Sequence, residues 1–157
     1  MVESGPHLLD AALSPQRIFL TREPTKDKLL NFLIQEMGQC GEVDDVQALH
    51  AAIFTREGLM STGIGLGIGV PHARISSVRR MVLAVAVNDH PLEDYESIDN
   101  EPVQIVFMVA GRPDQQSNYV RLLAVLSHIV KQETNRKNLL TATSPDEVYE
   151  QIRKALH

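Results

Sequence analysis

The sequence predicts a single α/β domain in which a mixed β-sheet is covered by helices on both sides. Two continuous apolar runs, residues 81–87 and 103–110, are typical of strands that are buried on both faces. Segments with apolar residues at helical spacing lie before and after these runs, and strands that alternate with helices along a chain indicate an α/β domain. The length of 157 residues corresponds to one such domain.

The N-terminal residues predict a leader followed by a strand. Residues 1–17 show no clear periodicity and contain Gly5, Pro6 and two further turn residues, so we expect a leader that is partly disordered. The domain proper then covers residues 18–157. Residues 18–20 are apolar and predict a short first strand.

Two helices are predicted after this strand. The first begins near Pro24, carries apolar residues at helical spacing and ends at Gly38. The second begins near Asp44 or Asp45, a residue type that caps helices, and ends at Gly58. Its apolar face is predicted to hold Val46, Leu49, His50 and Ile53.

Residues 61–70 read STGIGLGIGV, in which glycines alternate with apolar residues. A period of two predicts one strand-like segment whose second face carries no side chains. Such a face exposes backbone N–H groups to a ligand, and anions are the usual ligands of exposed amides. The alternative is a strand that packs closely against a helix, and the spacing alone leaves both interpretations open.

The C-terminal half predicts a loop and two helices. Residues 88–100 are polar and lie between the two apolar runs as a loop. A helix is predicted over residues 117–131, and its inner face should carry Val120, Leu123, Ala124 and either Ile129 or His128. The last helix has a clear start, with Ser144 as the N-cap, Pro145 as the first helical residue and Glu147 two positions later.

Composition excludes several classes of function. The net charge of −5 argues against a general nucleic-acid or anionic-membrane surface. A single cysteine, Cys40, cannot form an intrachain disulfide, and no His or Cys spacing typical of a metal site occurs, so we expect no metal and no cofactor. No apolar run approaches the ~18 residues that cross a bilayer, and no secretory signal is visible. We therefore expect a cytoplasmic protein.

His72 is the residue whose side chain points most clearly to a chemical role. Pro71 fixes its own φ and restricts Val70, so the backbone that enters His72 is stiff. An imidazole held in this way beside exposed amides can act as a nucleophile toward a phosphoryl group. The alternative is an ordinary loop histidine after a proline.

Residues 56–74, REGLMSTGIGLGIGVPHAR, resemble the phosphorylation-site motif of the enzyme IIA (EIIA) domains of the bacterial phosphotransferase system (PTS). The likeness is to the mannitol/fructose class, type 2, and especially to its nitrogen-regulatory branch. It implies the fold of that family and a phosphotransferase component without a cofactor, with His72 as the phosphoacceptor. Arg56 matches the arginine that stabilises the phosphate. The implied partners are an HPr- or NPr-type phosphocarrier protein and an enzyme IIB or a regulatory target.

Two positions depart from the pattern of this family. Leu66 stands where the family usually carries Asn or Glu, and Tyr119 stands where it often has a second histidine. We expect these two residues, with Gly67 and Gly69, to neighbour the site. The departures favour a nitrogen-regulatory or divergent member over a sugar-transport component. The alternatives are an interaction module that has lost transfer, a fructose- or mannitol-specific component, and a binder of small anions.

Overall fold

A six-stranded mixed sheet forms the middle of the molecule. The computed structural model describes residues 4–156 of the chain. The strands are β1 (Ile18–Thr21), β2 (Gly63–Gly65), β3 (Ile68–Gly69), β4 (His72–Arg74), β5 (Val82–Leu92) and β6 (Val103–Gly111). The helices are α1 (Gly5–Ala12), α2 (Lys26–Met37), α3 (Val46–Leu59), α4 (Gln116–Lys131), α5 (Glu133–Leu140) and α6 (Pro145–Leu156).

The strand order β1-β5-β6-β3-β2 confirms the predicted mixed sheet, and β4 also pairs with β6. β5 and β6 run antiparallel at the centre, whereas β1 is parallel to β5. β3 and β4 are both parallel to β6 and follow one another along it. The two predicted apolar runs are thus the two central strands.

Alternation along the central strands divides the core into two layers. Leu83, Val85 and Val87 of β5 face one apolar cluster, which α1, α4, α5 and α6 complete. Val82 and Ala84 face the other, which α2 and α3 cover. Both faces of a strand that is buried on two sides carry apolar side chains. This explains why the sequence shows apolar runs here and not an alternation of apolar and polar residues.

Most predicted helix boundaries are close to those observed. Asp45 accepts a hydrogen bond from the Ala48 N–H as the N-cap of α3, and Ser144 accepts one from the Glu147 N–H at the start of α6. α2 ends at Met37, with Gly38 as its C-cap, whereas α3 passes through Gly58 to Leu59.

The predicted leader differs from what the structure contains. Residues 5–12 form α1, in which Leu8, Leu9 and Ala12 are buried in the layer that α4 shares. The Ser4 side chain caps the helix by accepting from the His7 N–H. Four apolar residues in an eight-residue segment were too few to show helical periodicity, and the helix is stabilised by tertiary packing. The part of that prediction that concerns residues 1–3 lies outside the described residues.

The prediction of one strand for residues 61–70 is wrong, because the segment folds back as a tight hairpin. β2 and β3 pair antiparallel, with Gly63 opposite Gly69. Three consecutive residues at the turn, Gly65, Leu66 and Gly67, have positive φ values of 98°, 61° and 77°. Glycine adopts this conformation without strain, and the two glycines therefore allow the turn.

Four further differences concern the faces of α3 and α4, the polar region between β5 and β6, and α5. α4 turns Tyr119, Leu122, Leu126, Ile129 and Val130 inward, whereas Val120, Ala124 and His128 are exposed. His50 is also exposed and stacks on Phe54. β5 continues through residues 88–92 of the predicted loop, and α5 was missed because Leu139 is its one buried residue. Over residues 4–156, no helix combines the length and the apolar character needed to cross a membrane.

Candidate functional site

His72 begins β4 and lines an open groove of about 700 Å³ between this strand and α3. The strand holds His72 opposite Val109 of β6, so its backbone is fixed by the centre of the sheet. Small residues and a guanidinium group line the groove on the α3 side. The complete lining consists of Ala48, Ala51, Ala52, Thr55, Arg56, Leu59, His72, Ala73, Arg74 and Pro113. The predicted nucleophile is therefore accessible from outside.

The imidazole of His72 is held at one nitrogen. Its Nδ1 atom lies 3.1 Å from the carbonyl oxygen of Val70 and 2.9 Å from the hydroxyl of Tyr119. The two rings also stack, with centroids 4.4 Å apart. A carbonyl oxygen accepts hydrogen bonds but cannot donate them, so the contact with Val70 assigns the ring proton to Nδ1. The lone pair then lies on Nε2.

The surroundings of His72 favour its neutral form. Burial lowers the pKa of His72 below its usual value of 6.5, and the positive charges of Arg56 and Arg74 lower it further. The Val70 carbonyl and the carboxylate of Glu57 act in the opposite direction but do not reverse the shift. The ring is therefore uncharged at neutral pH, as a nucleophile requires.

Two guanidinium groups line the groove with His72. Arg56 lies in the last turn of α3, where its Nη1 atom donates to the Met60 carbonyl oxygen at 2.6 Å. Arg74 lies on β4 two residues after His72. Alternate residues of a strand share a face, so this spacing could have identified Arg74, which sequence reasoning missed. Both groups remain charged and offer forked donors that suit phosphate oxygens.

A buried ionic cluster fixes the end of α3 beside the groove. The carboxylate of Glu57 accepts from the Lys26 ammonium at 2.9 Å and from the Thr62 N–H at 3.2 Å. The Glu57 side chain is only 5% exposed. The Thr62 hydroxyl in turn bonds to the hydroxyl of Tyr95 at 2.7 Å. Glu57 lies within the motif of residues 56–74, but the sequence alone assigned it no role.

The structure does not bring Leu66 or Gly67 to His72. The Gly67 carbonyl accepts from the Ile105 N–H, whereas His72 pairs with Val109, four residues further along β6. Four residues of strand correspond to ~13 Å. Leu66 is half exposed at the tip of the hairpin. Leu66 therefore does not contribute to the surroundings of His72.

The glycine face is covered by the chain itself. Residues 95–99 lie over it, where the Ser97 hydroxyl accepts from the Gly65 N–H and the Asp99 carboxylate accepts from the Leu66 N–H, both at 2.9 Å. A Cβ on Gly69 would come within 2.7 Å of the Tyr95 ring. The Gly65 and Leu66 amides are thus occupied by the chain itself, and close packing explains the glycines at 63 and 69.

The arrangement around His72 suits the transfer of a phosphoryl group. It combines an uncharged imidazole with a free Nε2 and two guanidinium groups able to neutralise phosphate oxygens. Leu59, which lines the same groove, is 80% exposed and offers an apolar contact for another protein. Within residues 4–156, no cluster of three or more His, Cys, Asp or Glu side chains has the arrangement of a metal site.

Comparison with known proteins identifies relatives over nearly the whole chain. The family model described as "Phosphoenolpyruvate-dependent sugar phosphotransferase system, EIIA 2" matches residues 11–155. A fructose-specific EIIA component of Haloferax volcanii is 29% identical over 93% of this chain and 96% of its own length. A fructose-specific EIIABC component of Bacillus subtilis is 34% identical over 82% of this chain, which spans a fifth of that protein.

A solved structure shows the same fold. The nitrogen regulatory protein IIA-Ntr of Neisseria meningitidis superimposes with a TM-score of 0.80 at 25% identity, over 96% of this chain and 99% of that one. This similarity includes the N-terminal part of the chain as well as the sheet. Sugar-specific and nitrogen-regulatory proteins are thus both among the relatives.

Proposed function

Because the chain belongs to the EIIA 2 family of the phosphoenolpyruvate-dependent sugar phosphotransferase system, we propose that it carries phosphoryl groups on His72. An HPr-type phosphocarrier protein is the proposed donor. The acceptor is an enzyme IIB, or the phosphorylated chain is itself a regulatory signal. We propose that the protein carries out this cycle in the cytoplasm.

One observation carries the proposal. The Val70 carbonyl binds Nδ1 of His72 at 3.1 Å and so leaves the lone pair on Nε2, at a groove that Arg56 and Arg74 also line. An ordinary loop histidine needs neither a fixed tautomer nor two neighbouring cations. The lowered pKa of His72 supports the same role, since a protonated ring cannot attack.

The proposed transfer is an in-line displacement at phosphorus. The Nε2 lone pair of His72 forms the new N–P bond, while the donor's bond to phosphorus breaks and its electron pair returns to the donor nitrogen. Arg56 and Arg74 stabilise the charge that spreads over the phosphoryl oxygens. In the structure the Nη1 atom of Arg56 donates a hydrogen bond to the Met60 carbonyl oxygen. In this step Arg56 exchanges that hydrogen bond for one to a phosphoryl oxygen.

The relatives support a narrower proposal of regulatory function. IIA-Ntr of Neisseria meningitidis is named as a nitrogen regulatory protein and matches 96% of this chain. The Haloferax volcanii relative is named as fructose-specific and matches over a comparable length, so a sugar-specific role is the alternative. We favour the regulatory role because Tyr119 contacts the phosphoacceptor at a position where the family often carries a titratable histidine.

The proposal is tested by phosphorylation with an HPr-type carrier that has been charged from phosphoenolpyruvate. Intact mass is measured for the wild type, for His72→Ala and for His128→Ala, in which an exposed histidine of α4 is removed. We expect one acid-labile phosphate on the wild type and on His128→Ala, and none on His72→Ala. A wild type that stays unmodified while a known family member is phosphorylated would favour the non-transferring interaction module.

A further inference from the structure

Tyr119 contacts the nitrogen of His72 that the proposed transfer does not use. α4 holds its hydroxyl 2.9 Å from Nδ1, and the stacked ring is 8% exposed. The contact lies on the side of the imidazole away from Nε2. Any effect of Tyr119 on phosphoryl chemistry must therefore act through the electronic state of the His72 ring.

The two partners of Nδ1 differ in the bonds that they can form, because the Tyr119 hydroxyl can accept or donate whereas the Val70 carbonyl oxygen can only accept. The Val70 carbonyl oxygen can only accept, so it stabilises a ring that carries a proton on Nδ1. The Tyr119 hydroxyl can donate, and it can donate to Nδ1 only when that nitrogen has no proton. Burial raises the pKa of Tyr119 to about 12, so its hydroxyl keeps the proton that it would donate.

The proton on Nδ1 governs how readily a phosphoryl group leaves Nε2. In hydrolysis a water oxygen forms the new bond to phosphorus, and the electron pair of the broken P–N bond stays on Nε2. With a proton on Nδ1 the ring leaves as neutral imidazole. Without that proton it leaves as an imidazolate anion, which is a far poorer leaving group.

We propose that Tyr119 prolongs the lifetime of a phosphoryl group on His72 by donating a hydrogen bond from its hydroxyl to the unprotonated Nδ1. The inference rests on the proposed function, because it requires His72 to carry the group. After transfer to Nε2, Nδ1 releases its proton to water and the Tyr119 O–H bonds to the vacated lone pair. When a proton returns to Nδ1, the bond to Val70 replaces the bond to Tyr119 and the group can leave.

Other charged groups also face the ring. Arg56 and Glu57 approach from α3, and Arg74 approaches from β4. Their charges influence the protonation of His72, but removal of the Tyr119 hydroxyl leaves all three in place. A comparison of the wild type with Tyr119→Phe therefore isolates the hydrogen bond, since phenylalanine keeps the stacked ring.

The experiment uses phosphoramidate, which transfers its phosphoryl group to histidine with release of ammonia and needs no carrier protein. Loss of the phosphate from His72 is followed by intact mass at several pH values. Tyr119→Phe is expected to lose it about fivefold faster near neutral pH, the effect of one hydrogen bond, with its rate profile displaced to higher pH. Tyr149→Phe, which removes a hydroxyl bonded to Arg153 on α6, is the matched control and should not change the rate.

A second variant guards against a folding defect in Tyr119→Phe. Tyr119→fluorotyrosine keeps the shape of the side chain and makes the hydroxyl a stronger donor, so the phosphate should persist longer than in the wild type. Equal lifetimes in all variants, or a longer lifetime in Tyr119→Phe, would overturn the inference. Absence of phosphate on His72 after phosphoramidate treatment would overturn it as well. Modification by phosphoramidate but not by the charged carrier would refute only the proposed function.

Discussion

Gly69 provides the sharpest test of the finding that the glycine segment is closely packed and not open to an anion. In Gly69→Ala, the added Cβ would lie 2.7 Å from the Tyr95 ring. The Tyr95 ring is only 1% exposed and cannot swing into solvent, so either the ring or β3 must shift. Overpacking of this kind costs ~1–3 kcal/mol. A shift of the ring also weakens the bond between the Tyr95 and Thr62 hydroxyls, which is worth about 1 kcal/mol.

We therefore expect Gly69→Ala to lower the free energy of unfolding by about 2–3 kcal/mol. Urea denaturation measures this as a lower midpoint at an unchanged m value. The matched control is Gly58→Ala, because a Cβ on Gly58 of α3 meets no atom within 4 Å. That variant should be stabilised by ~0.5–1 kcal/mol, as alanine is the better helix former. A loss below ~0.5 kcal/mol in Gly69→Ala would refute the packing argument.

Three further predictions follow from the groove and its supports. Glu57→Ala should lower stability by about 2–4 kcal/mol in urea denaturation, because it leaves Lys26 without its buried partner; a loss below ~1 kcal/mol would contradict this. Arg74→Gln should slow phosphorylation by the carrier about tenfold, because it removes one charge-assisted hydrogen bond to the phosphoryl group, and the Tm should not change. An unchanged rate would exclude Arg74 from the transfer. Because the pKa of His72 is lowered, the acid-side decline of the phosphorylation rate should have its midpoint below pH 6.5; a midpoint above 6.5 would contradict the lowered pKa.

The elements with strong periodicity or clear caps could be predicted from sequence. β5 and β6 were evident as continuous apolar runs, and Ser144 marked the start of α6 correctly. α1 and α5 could not be predicted, because helices this short owe their stability to tertiary contacts and not to a pattern of their own. On α4 the inner face was misjudged, since Val120 is as apolar as the residues that are buried.

The candidate site was only partly accessible to sequence reasoning. His72 was singled out from its stiff backbone, and Arg56 and Tyr119 were named from the resemblance to the family. The structure brings Tyr119 into contact with His72, and the groove joins His72 to Arg56. The hairpin turn could not be foreseen, because alternating glycines fit one long strand as well as two short ones. A single strand would have placed Leu66 six residues before His72 in extended backbone. Leu66 lies instead at the hairpin turn, away from His72.

The central claim is that Nε2 of His72 receives the phosphoryl group while Nδ1 faces its hydrogen-bond partners within the protein. NMR of nitrogen-labelled protein, recorded before and after phosphorylation by the carrier, tests it directly through the coupling of phosphorus to each ring nitrogen. We predict coupling to Nε2 of His72 alone. Coupling to Nδ1, or to the ring of any other histidine, would contradict the account.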